Sequence, residues 1–262
     1  FLDTTFAEGN PLSIYMLYDY VTSDISAPIL NMEDHIDTDG DETCIEEIGK
    51  NSARYMWEAC VHGRGSSAIW QWARTDDTSN AMVRGRITYR PDQMAKVGHS
   101  AIDVNRLSNE VAALFNTKRT VQIVYSRPSV NRNYVVLDAM QKAYAAASYS
   151  GQKTYFVTDS DYDNINHSDL LIVPAAKYAS ERLVNDILTY LNSGNEVVLL
   201  GDFCLKYDEY GRPHDEQVIN EIYKKATVIP TEEIIDGSYS YAGVNTEAHI
   251  VDNSHINLDQ YE

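Results

Sequence analysis

Glu33 stands at the exit of a short apolar stretch, Pro28-Ile29-Leu30-Asn31-Met32-Glu33-Asp34, and an acidic loop and a helix follow it. A carboxylate leaving a buried strand is well placed for chemistry, because α/β barrels carry their catalytic groups at the C-terminal ends of their strands. One helix later, in Ser67-Ala68-Ile69-Trp70-Gln71-Trp72-Ala73-Arg74, Trp70 and Trp72 alternate about Gln71. Alternate residues of a strand share a face, so the two indoles either stack on a sugar or pack in a core. Glu58 and Asp76 are further carboxylates able in principle to donate a proton, although no spacing singles them out.

Other constellations are weaker. Asp37-Thr38-Asp39-Gly40-Asp41-Glu42 is acidic like a calcium loop, but Gly40 comes too early and the twelfth position is Ile48 rather than Glu. Cys44, Cys60 and His62 lack a Cys-x-x-Cys pair, so no metal is expected. Cys204 follows a strand without the small-residue elbow of a nucleophile, and His214 lies too close behind it for a late-chain triad histidine. Ser126-Arg127-Pro128-Ser129-Val130-Asn131-Arg132 has no glycine for close approach to a flavin phosphate. Arg127 and Arg132 are left as possible anion ligands, and no cofactor is expected. Asn166-His167-Ser168 fits the glycosylation pattern and is read as chance.

These residues need a scaffold, and the chain of 262 residues has room for one large domain or two smaller ones. Residues 1 to 10 read as irregular, and a helix from about Leu12 to Ser23 precedes the strand at 28 to 33. Another helix spans about Ile45 to His62, with Ile48, Ala53, Met56, Trp57 and Cys60 on its apolar face, and the second strand covers Ser67 to Ala73. The pattern changes at Arg90: Pro91 to Lys96 reads as a link, and Ala101 to Phe115 as a helix presenting Ile102, Val104, Leu107, Val111 and Leu114. Strands near 120–125, 154–158, 170–174, 196–201 and 227–230 then alternate with helices at 134–149, 180–191 and 216–225. That alternation predicts a parallel α/β sheet covered on both faces, in the flavodoxin-like order 2-1-3-4-5. The expected domains are residues 1–90, 91–230 and a C-terminal extension, 231–262.

In its three segments the chain resembles the family 42 glycoside hydrolases, the β-galactosidases. Asn31-Met32-Glu33 is similar to the strand 7 end that holds that family's nucleophilic glutamate. Ala53 to Ala59, followed by Ile69-Trp70-Gln71-Trp72, is similar to helix 7 and strand 8, where an aromatic floors the sugar site. Glu196 to Gly201, followed by Lys206-Tyr207-Asp208-Glu209-Tyr210-Gly211-Arg212, is similar to a signature of the family's amidotransferase-like trimerisation domain. The resemblance implies an α/β chain made of a partial (β/α)8 barrel followed by a flavodoxin-like sheet, with Glu33 as catalytic nucleophile and Trp70 and Trp72 as substrate-binding residues. It also implies a missing general acid, because the family's donor sits at the end of strand 4. Weak or no glycosidase activity is then expected from this chain, whether as the C-terminal part of a longer enzyme or as a shortened descendant. Two rival readings are a non-catalytic module that self-associates and binds carbohydrate, and an esterase-type hydrolase at a new site.

Composition narrows the partners. A formal charge of −18 disfavours nucleic acid and anionic membrane, both of which need basic surface. No apolar run approaches a membrane span, and Phe1-Leu2-Asp3-Thr4-Thr5 lacks the basic start and apolar core of a secretion signal. The odd set of cysteines, Cys44, Cys60 and Cys204, fits a reducing compartment, so a cytoplasmic location is expected. The 19 tyrosines suit packing or sugar stacking. Carbohydrate is the expected partner, together with a second copy of the chain, since orphan barrel strands expose edges that must be covered.

Overall fold

The computed structural model describes residues 2–5, 11–25, 27, 29–36, 45–69, 91–132, 135–158, 165 and 169–230. It divides into two compact units, residues 1–117 and 118–262. The first is a three-stranded parallel sheet with helices. Its elements are β1 (Leu2–Thr5), α1 (Pro11–Asp24), β2 (Ile29–His35), α2 (Ile45–Val61), β3 (Arg64–Ile69), α3 (Pro91–Arg106) and α4 (Ser108–Phe115), with strand order β1-β2-β3.

Several sequence expectations change here. Residues 2–5 are not irregular: they pair in parallel with β2, Asp3 opposite Glu33 and Thr4 opposite Asp34. Strand β2 continues through Asp34 to His35, so Asp34 is no loop residue, and β3 begins at Arg64 rather than Ser67. The expected link at 91–96 is the first turns of α3, and a break at Leu107 divides the helix expected over 101–115. Proline at the first helical position leaves no bond unmade, and Asp92 places negative charge on the positive helix terminus.

The packing of α2 against α3 explains why the first unit extends to Thr117, beyond the composition change at Arg90. The buried face of α2 is Gly49, Ser52, Tyr55, Met56 and Ala59. Gly49 lets the helices approach closely, since a Cβ there would lie 3.3 Å from Cγ of Lys96 and 3.6 Å from Cα of Gln93. On α3 the buried stripe is Gln93, Val97 and Ser100, and Gln93 Nε2 donates to Ser52 Oγ at 2.9 Å. Ile102 and Leu114, expected on the buried face, are exposed.

A charge pair joins the sheet to α2. The buried Asp34 carboxylate accepts from Arg64 Nη1 at 2.5 Å, Tyr55 Oη at 2.8 Å, Asn31 Nδ2 at 3.0 Å and the hydroxyl of Ser67. Arg64 spends Nη2 on the Met56 carbonyl at 3.0 Å, and its guanidinium carbon lies 5.4 Å from the centre of the Tyr55 ring. Burial is the largest single influence and works against the Arg64 charge, but Asp34 together with Cys60, Tyr18 and Tyr55 outweighs it, so the guanidinium is held protonated more firmly than in water.

The second unit matches the expected alternation. It comprises β4 (Val121–Val124), α5 (Arg127–Val130), α6 (Val135–Tyr149), β5 (Thr154–Val157), β6 (Leu170–Pro174), α7 (Glu181–Asn192), β7 (Val197–Leu200), α8 (Glu216–Lys225) and β8 (Thr227–Ile229). All five strands are parallel in the order β5-β4-β6-β7-β8, which is the expected 2-1-3-4-5. Every residue of β4 and β7 is buried, as a sheet covered on both faces requires. Ser180 caps α7 by accepting from Leu183 N, Asp215 caps α8 by accepting from Gln217 N, and Leu183, Val184, Ile187, Tyr190 and Leu191 face the core.

Gly63 has φ +100, and a Cβ there would meet Thr22 Cγ2 at 2.6 Å and Phe115 Cε2 at 2.7 Å. Gly63→Ala should therefore destabilise by more than ~1 kcal/mol, whereas Gly98→Ala, in open space within α3, should stabilise by about 0.5–1 kcal/mol; urea midpoints decide both. Asp34→Asn should cost about 3–5 kcal/mol by leaving Arg64 charged and buried, and the double change Asp34→Leu with Arg64→Met should cost less than Asp34→Asn alone.

Candidate functional site

Glu33 lies near the C-terminal end of β2, the middle strand of the first sheet. Strict alternation would place Asp34 on the other face from its neighbours, yet both Asp34 and His35 are buried. Shifts in register between Leu2 and Asp3 and between Asn31 and Asp34 accompany this departure. Such bulges re-aim side chains at sheet ends.

Asn31 holds the local backbone. Its Oδ1 accepts from the Glu33 amide at 3.2 Å, while its Nδ2 donates to Tyr18 Oη and to Asp34 Oδ1, each at 3.0 Å. The position of Glu33 is thereby tied to the Asp34–Arg64 pair and, through Tyr18, to α1. The Glu33 side chain is 37% exposed, and Oε1 lies 3.6 Å from Nε2 of the mostly buried His35. Among the described residues these are its polar contacts. The arrangement presents one accessible carboxylate on a fixed backbone with an imidazole beside it, which can attack an electrophilic carbon or take a proton.

Trp70, Trp72 and Asp76 lie outside the described residues, as do Cys44 and the acidic loop 37–42. Glu58 is not brought to Glu33. It sits on the α2 face toward α1, where it accepts from the Tyr15 hydroxyl and lies 3.9 Å from Arg54 Nε. Burial raises its pKa, and the neighbouring His62 partly opposes this. His62 bonds Asp19 through Nδ1 at 2.9 Å and stacks on Tyr15 with ring centres 5.0 Å apart, so this cluster ties helix to helix. A cavity of about 660 Å³, lined in part by Thr22, Cys60, Arg64, Val111 and Phe115, opens at the start of β3. That is the end of a parallel sheet associated with stability rather than chemistry.

In the second unit Cys204 is fully buried, with Sγ 3.2 Å from the Leu200 carbonyl. Burial pushes its thiol up to about 12, which makes it a poor nucleophile. His214 Nε2 lies 3.0 Å from the Ala179 carbonyl. The residues that position Glu33, namely Asn31, Asp34, Tyr18, Tyr55 and Arg64, escaped the sequence reading. The available signal was the pair Asn31 and Asp34, polar groups inside an apolar strand.

No protein-family model matches the sequence, and no curated protein does. Solved structures do match. The apo exo-carrageenase GH42 from Bacteroides ovatus aligns with a TM-score of 0.70 at 23% identity, over 84% of this chain and 30% of that one. The β-galactosidase from Rahnella sp. R3 aligns at 0.59 and 14% identity, over 79% and 32%. The β-galactosidase from Halorubrum lacusprofundi aligns at 0.58 and 17% identity, over 78% and 31%. This chain therefore spans about a third of the length of these enzymes. Over most of its own length it has a family 42-like glycoside hydrolase fold.

Proposed function

We propose that the chain is the nucleophile-bearing part of a retaining glycoside hydrolase acting on galactose-configured sugars. The observation that carries this reading is Glu33: an accessible carboxylate near the C-terminal end of a parallel strand, its amide held by Asn31, in a chain with a family 42-like fold. A retaining enzyme needs two carboxyl groups about 5 Å apart. Glu33 attacks the anomeric carbon, the glycosidic C–O bond breaks, and a proton from the second carboxyl goes to the leaving oxygen. Water then cleaves the glycosyl ester. In this proposal Glu33 supplies the attack, Trp70 and Trp72 floor the sugar, and the proton donor comes from a segment without a counterpart among the described residues. Unaided turnover of ordinary glycosides is correspondingly weak or nil.

The higher TM-score against an exo-carrageenase than against the β-galactosidases supports carrageenan as a second substrate class in this reading. Association with a further copy is part of the reading. Leu30 and Met32 on the central strand are 42% and 45% exposed, although parallel sheets are ordinarily covered on both faces. Residues 91–230 would carry the remaining self-association, with residues 1–90 carrying the chemistry. No described helix is long and apolar enough to cross a membrane. Free Cys60 and Cys204 support placement in the reducing cytoplasm.

A substrate with a leaving group that needs no proton tests Glu33 without its partner. With 2,4-dinitrophenyl β-galactoside the chain should release dinitrophenolate in a burst of about one equivalent, leaving a glycosyl adduct on Glu33 detectable by peptide mass. Glu33→Gln should abolish both. Asn31→Ala should slow the burst about 10- to 100-fold by loosening the carboxylate. An intact chain that gives neither burst nor adduct would leave the non-catalytic carbohydrate-binding module. Ester cleavage surviving Glu33→Gln would point to an esterase.

A further inference from the structure

The second sheet has its own unassigned crevice. In the order β5-β4-β6-β7-β8 the connections leave β4 and β6 toward opposite sides. Open α/β sheets bind ligands outside the strand ends at such a switch point. Here the loops after β4, β6 and β7 are stitched together. Ser126 and Ser129 hydroxyls each donate to the Tyr178 carbonyl at 2.6 Å, and the Tyr178 amide donates back to Ser129 Oγ at 2.8 Å. The Tyr207 amide donates to the Lys177 carbonyl at 3.2 Å, and the Ala179 amide to the Tyr207 carbonyl at 2.9 Å.

Against this frame lies a hollow of about 260 Å³ lined by Arg127, Pro128, Asn131, Arg132 and Glu209. Cations are held there in a manner unlike the usual surface ion pair. The Arg132 guanidinium lies 4.4 Å from the centre of the Tyr178 ring, and Lys177 Nζ lies 5.8 Å and 5.3 Å from the Tyr178 and Tyr207 rings. Among the described residues neither Arg132 nor Lys177 pairs with a carboxylate. Ring faces orient a cation while leaving its N–H groups able to bind an oxyanion. Glu209 is held on a tight turn, in which Asp208 Oδ1 accepts from the amides of Tyr210 at 2.9 Å and Arg212 at 2.8 Å. Its carboxylate and the Asn131 amide are suited to hydroxyl groups, and the carboxylate would repel a bare anion.

We infer that this crevice binds one small anionic sugar, its oxyanion on Arg127 and Arg132 and its hydroxyls on Asn131 and Glu209. The volume admits a single residue rather than an oligosaccharide, since drug-sized sites run from about 300 to 1,000 Å³. The net positive lining within a chain of charge −18 selects acidic over neutral sugars at this spot. Carboxylate, phosphate and sulfate share the chemistry that would be recognised.

Calorimetric titration of the full chain with galacturonate, galactose 6-phosphate and galactose 6-sulfate, at constant ionic strength, separates these sources. At least one should bind saturably and at least tenfold tighter than both galactose and inorganic phosphate. Arg132→Ala should weaken that ligand at least tenfold, and Glu209→Ala should weaken it while leaving inorganic phosphate no weaker. Arg182→Ala, on α7 beside Asp186, and Glu33→Gln should bind as the parent does, which keeps this site independent of the proposed glycosidase chemistry. Thermal melts confirm that each variant is folded. No preference for any acidic sugar over galactose, or undiminished binding by folded Arg132→Ala, would overturn the inference.

Discussion

Taking the Asp34 carboxylate out of water is tolerable only because Arg64, Tyr55, Asn31 and Ser67 all turn toward it. A well-packed apolar pair commonly holds layers together as strongly, so stability alone does not account for these charges. Their distinctive contribution is registration. Asp34 is opposite Ile69 on β3, with Arg64 at the start of that strand. A slip of one residue would turn every side chain of β2 to the other face and leave Arg64 buried without its carboxylate. The same pair fixes Asn31, and Asn31 fixes the amide of Glu33. A candidate catalytic group is thus positioned by an electrostatic requirement two residue contacts away.

How much of this was legible follows from the kind of packing in each unit. In the second unit the strands are short apolar runs, the helices have Ser180 and Asp215 at their caps, and apolar period and burial agree. The strand order was readable for that reason. In the first unit the α2–α3 contact is made by Gly49, Ser52, Gln93 and Ser100, whose small size and hydrogen bonding bring the helices together. Apolar periodicity pointed instead to Ile102 and Leu114, which face outward. Strand β1, Leu2-Asp3-Thr4-Thr5, carries almost no apolar signal and is a strand through its pairing with β2. Glu33 was visible as a carboxylate leaving a strand. Asp34 beside it looked like the first residue of an acidic loop, because nothing local announces a partner thirty residues on.

The two units apply one architectural rule with different means. Parallel strands point their carbonyl ends the same way, so the loops beyond those ends are where a sheet can gather side chains from several segments. The first sheet places Glu33 and His35 there and supports them with buried charge. The second supports its crevice with ring faces and hydroxyl-to-carbonyl bonds over an apolar core. An apolar core is hospitable to shape and hostile to ionised nucleophiles. Cys204 shows the consequence: enclosed on all sides against the Leu200 carbonyl, with its thiol pushed up to about 12, it is held as a small apolar group. At Arg132 and Lys177 the second unit holds positive charge against aromatic ring faces. Guanidinium and ammonium groups held there by ring contacts are donors of N–H bonds rather than of electron pairs, so what they contribute chemically is the grip on an oxyanion proposed for this crevice.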